Sequence, residues 1–208
     1  MPIKKIGFFR KLLGKIGKHY YWWRAKKLSN LIMAGDYLAM MIALTEFHDG
    51  DFQKALETGL EMGKAIGKKV LYEFIDAGKR LFSENLKDYA FLLEVAFYIN
   101  LGENFKDIEF IPADFKNPAK IVCRLEHCPF CFGVEEDEDL KIDEENFKDL
   151  NWGVFVAGCF ESAFNGILEY VEADYFCIAR ETKCLLKGDP FPEYTLYFYP
   201  KEEKNESG

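Results

Sequence analysis

The sequence predicts an α+β domain, a helical N-terminal half packed on an antiparallel sheet formed by two hairpins flanking a central helix. Two observations predict it. Apolar residues recur at intervals of three and four through the first half, and two pairs of short alternating segments follow, one on each side of a further helical stretch. A composition of 49% apolar and 30% charged residues over 208 positions is enough to bury one large core.

Taken in order, Ile6, Phe9, Leu13, Ile16, Tyr20 and Trp23 recur at helical spacing among lysines and arginines, which predicts an amphipathic first helix. Its expected arrangement sets the aromatics on the core and the lysines in water. The alternative is attachment to an anionic membrane surface or nucleic acid. Asp51 is placed to cap a long helix through about Lys69, with Ala55, Gly59, Met62, Ile66 and Val70 as its apolar stripe. Gly59, Gly63 and Gly67 lower its helix propensity and point to close approach of another helix or a ligand. A continuation from Leu71 to Phe82 and a helix from Leu86 to Leu101, stopped by Gly102, complete the helical half.

The period then changes. Asp107 to Pro112 and Ala119 to Leu125 read as strands joined by a turn through Asp114 to Pro118. Glu135 to Asp149 is dominated by acids and reads as a solvated excursion, since it lacks the ligand spacing and central glycine of a calcium-binding loop. Trp152 to Val171 resumes helical spacing, and Tyr175 to Thr182 and Tyr194 to Tyr199 form the second hairpin. Three units are expected: a basic helical arm over 1–35, a ligand-binding domain over 36–200, and a polar tail over 201–208.

The charge of −8 is unevenly spread, because residues 1–35 hold nine lysines and arginines and no acid, which leaves −17 on the rest. The arm is therefore suited either to the acidic body or to an anionic partner. No uncharged apolar run approaches the roughly 18 to 20 residues of a membrane span. Lysines and arginines interrupt the apolar N-terminus as a secretory signal would not, so a cytoplasmic location is expected, with thiols reduced or metal-bound.

Cys128 and Cys131 form a C-x2-C pair, whose short turn can aim two thiolates at one metal. A four-ligand site needs two more groups. Zinc–sulfur bonds of about 2.3 Å hold sulfurs about 4 Å apart, whereas a strand advances about 3.3 Å per residue. Within one strand Cys123 and Cys128 would lie about 16 Å apart and face opposite ways, so Cys123, and by the same reasoning Cys177, become core residues.

The stretch Cys159, Phe164-Asn165-Gly166, Glu181-Thr182-Lys183-Cys184 and Gly188-Asp189-Pro190, with Cys128-Pro129-Phe130-Cys131 upstream, resembles the 4-vinyl reductase domain family over roughly residues 50–200. The resemblance implies a fold shared with nitric-oxide sensors and with subunits of vesicle-tethering complexes, a small-molecule-binding role and a zinc ion. The family's usual ligand after the Gly-Asp-Pro turn is replaced here by Pro192. Either the Cys128 and Cys131 pair supplies the missing thiolate, or Glu181 stays a ligand and one of the pair is used. The favoured set is Cys128, Cys131, Cys159 and Cys184 around a structural Zn, closed to substrate.

A ligand pocket is expected near Trp152, Phe155, Phe160 and Phe164, since helices carrying glycine and aromatics can enclose an apolar cavity. The sequence has no phosphate loop, zinc-protease motif or nucleophile elbow, and no catalytic pair stands out. The leading functional expectation is a sensor or carrier for a hydrophobic or planar small molecule. A reductase acting on a tetrapyrrole vinyl group and a protein-interaction scaffold are the alternatives. No nucleic-acid partner is expected, because a zinc ribbon would carry two C-x2-C turns on a basic surface. A homodimer and peripheral membrane contact through the basic arm are further expectations about partners.

Overall fold

In a computed structural model, which describes residues 4–24, 30–131, 134, 147 and 150–201, the chain forms five α-helices and one four-stranded sheet. The helices are α1 (Phe8–Arg24), α2 (Asn30–Phe47), α3 (Phe52–Gly78), α4 (Tyr89–Leu101) and α5 (Val154–Tyr170). The strands are β1 (Asp107–Ile111), β2 (Ala119–Arg124), β3 (Tyr175–Lys183) and β4 (Glu193–Pro200). The expected α+β architecture is the one observed. Residues 135–146, 148, 149 and 202–208 lie outside the described residues, and with them most of the acidic excursion and the tail.

Each strand is antiparallel to its neighbours in the order β1-β2-β4-β3, so the two hairpins join through β2 and β4. Cys123 faces Tyr194 across that joint, and Ala179 faces Leu196 across the second hairpin. Cys123, Cys177, Leu196 and Phe198 are buried under the helical layer. Tyr89 of α4 packs edge-on against Phe198, and Phe160 of α5 packs against Tyr194.

Local signals account for most boundaries. Asp51 accepts a hydrogen bond from the Lys54 N–H at 3.1 Å and starts α3. Gly102 ends α4 with φ of 76°, a conformation that costs a residue with a Cβ. The most extensive helix contact is between α3 and α5. A Cβ at Gly63 would run into the Phe155 carbonyl, and one at Gly67 into the Cys159 carbonyl. The glycine run thus serves close helix approach, one of its two expected roles.

Two elements differ from the sequence reading. Leu71 continues α3 as a single helix of 27 residues to Gly78. The second, α2, has no counterpart among the predicted elements. Its residues are apolar almost all round, so they produce no period to detect. It runs across the position where the chain changes from basic to acidic. No helix among the described residues is long and apolar enough to cross a membrane.

Candidate functional site

Four helices, α2 to α5, line a half-open cavity of about 450 Å³ with Phe130 at one wall. That volume lies within the roughly 300–1,000 Å³ of small-molecule pockets. The lining is almost wholly apolar, with Tyr37 from α2, Ile66 from α3, Phe97 from α4 and Phe155 from α5 among its residues. Gly67 brings α3 close to α5 at the wall, and Cys159 places its side chain there. Burial pushes the Cys159 thiol up to about 12, so at neutral pH it is an uncharged lining group.

Of the four aromatics expected to line a pocket, the structure brings Phe155, Phe160 and Phe164 to the cavity wall. Trp152 sits behind it, fully buried. Its indole N–H donates to the Phe130 carbonyl at 2.8 Å, and its ring lies 5.0 Å from that of Tyr37 and stacks on Phe52. The Tyr37 hydroxyl in turn donates to the Trp152 carbonyl. Trp152 is therefore a brace for the wall. Among the lining residues that sequence reasoning missed are Tyr37, Met33 and Met40 of the undetected α2, and Leu93 and Phe97 of α4.

The cysteines do not converge as expected. Cys128 and Cys131 are joined to each other in a disulfide, where reduced thiols or metal ligands were expected. Cys184 is buried at the end of β3, beside the Glu181 carboxylate. Glu181 accepts from the Gly153 N–H at 2.7 Å, just before α5 begins. Cys159 lies six residues further on along α5. No group of three or more His, Cys, Asp or Glu side chains among the described residues is placed to hold a metal ion. Zinc as a defining feature of the protein is accordingly withdrawn.

Glu181, Tyr194 and Gly153 instead form a tight buried cluster. Among the described residues, neither Glu181 Oε1 nor Tyr194 Oη has a hydrogen-bond partner, and a Cβ on Gly153 would strike both groups. Burial, opposed in part by the Gly153 N–H, pushes the Glu181 carboxyl up to about 8. Burial, with Glu181 nearby, also raises Tyr194 and Tyr37 well above the usual phenol value.

The geometry defines a class: an α+β domain whose sheet supports a helix-walled apolar cavity. A solved structure of that architecture is a trafficking protein particle complex subunit 3 from Naegleria fowleri covalently bound to palmitic acid. It is similar to this chain at a TM-score of 0.62 and 18% identity, over 82% of this chain and 95% of that one. At this identity the likeness shows the fold alone. No family model and no curated protein matches the sequence.

These comparisons overturn the assignment to the 4-vinyl reductase domain family, and with it the zinc-stabilised sensor or carrier reading. The residues behind that resemblance have structural work of their own. Asn165 is hydrogen-bonded to both the N–H and the carbonyl of Cys177 at 2.8 Å, tying α5 to β3. Asp189 accepts from the Cys184 N–H at 2.8 Å, and Gly188 turns the chain with φ of 78°. The pattern marks helix-to-strand joints and a turn of this architecture, and carries no chemistry specific to one family.

Proposed function

We propose that this protein is a subunit of a multi-protein assembly of the vesicle-tethering kind, and that its cavity holds a long acyl chain as part of its folded core. The observation that carries this reading is the helix-walled apolar cavity, in a fold shared with a trafficking particle subunit solved with palmitic acid. A flexible hydrocarbon chain suits a cavity with so few polar groups, because it asks for no hydrogen bonds and gains about 0.8 kcal/mol per buried methylene. The assembly half is supported by α2, an almost wholly apolar helix that still exposes Leu31, Ile32 and Phe47.

The test uses full-length protein isolated from its natural host. Lipid extraction and intact-mass measurement are expected to find a fatty acyl chain, free or attached. The Ala163→Phe variant, which fills the cavity wall, is expected to lack it. An empty cavity in the native-host protein overturns the acyl reading. Light scattering on the same preparation is expected to give a mass above that of one 24.2 kDa chain, and a lone monomer overturns the assembly reading.

A further inference from the structure

An amphipathic helix at the edge of a soluble domain ordinarily buries its apolar side and leaves its lysines in water. Helix α1 instead turns two of its lysines inward and leaves a broad apolar face outward. The side packed on α4 carries Lys11, Gly14 and Lys18, with Gly14 against the Phe91 ring. Lys18 is only 6% exposed; its ammonium meets Glu94 at 2.8 Å and Asn104 at 3.1 Å, and lies over the Tyr98 ring. Lys11 pairs with Asp88 at 2.9 Å, and the same carboxylate accepts from the Ile6 N–H at 2.8 Å. Ion pairs of this kind fix orientation, since rotating the helix would take both ammonium groups away from Asp88 and Glu94.

The opposite side is apolar and open. Phe9 is 77% exposed, Ile16 62% and Trp23 75%, and Phe8 and Leu13 accompany them. At about 100° per residue these five fall within an arc of roughly 140°, turned away from Lys11, Gly14 and Lys18. Exposed Arg10 and Lys15 border that arc, and exposed Lys4 and Lys5 lie just before the helix. The stretch 1–35 has nine basic residues and no acid, in a chain whose remainder carries −17.

We propose that the outward face of α1 seats in the interface of an anionic lipid bilayer, with the helix axis parallel to the membrane plane. Its 17 residues make a rod of about 26 Å, too short to span but suited to lying flat. Aromatic and aliphatic side chains enter the acyl boundary, and the bordering lysines meet anionic headgroups. Charge complementarity selects this occupant: two copies meeting through this face would oppose one basic arm to another, and an acidic body needs such an arm to approach a negative surface. The proposal is independent of what fills the cavity.

The experiment is co-sedimentation of the full chain with vesicles of phosphatidylcholine containing about 30% phosphatidylserine, against phosphatidylcholine alone. Binding to the anionic vesicles is expected to be about tenfold tighter or more, and to weaken as salt is raised above about 0.15 M. Phe9→Ser with Ile16→Ser is expected to weaken binding by at least about tenfold while leaving the melting temperature unchanged, because neither side chain packs on the domain. Lys4, Lys5 and Lys15 replaced together by Gln are expected to remove the preference for the anionic vesicles. The proposal is overturned if the wild type does not sediment with anionic vesicles or if the serine variant binds as tightly as the wild type. Self-association or oligonucleotide binding that the serine variant abolishes, without any vesicle binding, overturns it in favour of another occupant.

Discussion

Glu181 shows how one buried carboxyl can set a pH dependence for the whole domain. Its ordinary value is 4.5, and burial first of all raises it to about 8 in the folded state. Between those values the folded chain holds a proton that the unfolded chain has released, so stability falls as pH rises through this window and levels off above it. Below pH 4.5 the group has no effect. Glu181→Gln is expected to flatten the decline between pH 5 and 8 and to stabilise the protein at pH 8 by about a few kcal/mol, since the amide keeps an acceptor for the Gly153 N–H. Thermal melts across that range check both points, and an unaltered slope in the variant would refute the assignment. Asp88 works with the opposite sign. Burial alone would raise it, but the Ile6 N–H and the Lys11 ammonium hold its carboxyl below the usual range, so its contribution is present at neutral pH and lost in acid.

Such residues are hard to read from a sequence. Glu181 attracted notice only as an alternative metal ligand, because its spacing from Cys184 resembled a motif. Its environment is made by Gly153 and Tyr194, which lie 28 and 13 positions away. Cys123 and Cys177 were legible as core residues because strand alternation is local. The relative placement of Cys159 and Cys184 was not, because it depends on how α5 packs against β3.

Among elements, legibility followed contrast. Helix α3 announces itself through Asp51 and an apolar stripe, α4 through its Gly102 stop, and both hairpins through alternation between turns. Helix α2 has little polar contrast, and with it went the view of one of the four helices of the cavity wall. Helix α1 was legible as amphipathic, but its orientation was expected the wrong way round: the acids that draw Lys11 and Lys18 inward lie on and just before α4, more than 70 positions distant. The α3–α5 contact yields a sharp prediction. Gly67→Ala gains about 1 kcal/mol of helix propensity, yet its methyl would meet the Cys159 carbonyl and the Ser162 hydroxyl. Urea denaturation is expected to show a net loss of about 2 kcal/mol or more. A neutral or stabilising result would mean that the helices separate at little cost.

For the whole molecule, cavity and core are continuous, since Leu93, Phe97, Val156 and Phe164 belong to both. An occupant that binds only the folded chain therefore adds to stability by mass action, by about 2.7 kcal/mol at one hundred times its dissociation constant. Delipidated protein is expected to melt at a lower temperature than the native-host preparation, and to recover on titration with a long-chain fatty acid. The Ala163→Phe variant is expected to ignore the fatty acid. A fatty acid that leaves the wild-type melting temperature unmoved would argue against an acyl occupant.

Strand order has a consequence during synthesis. β4 is the last strand to leave the ribosome, yet it lies between β2 and β3. Until it emerges, the β1–β2 hairpin has no partner along β2, and β3 is a lone strand under α5. The nascent chain therefore carries open edges on β2 and β3, each able to pair with a neighbouring polypeptide, until β4 emerges. A ribosome paused before Glu193 would hold a helical layer with half a sheet, and chaperone demand should peak at that length.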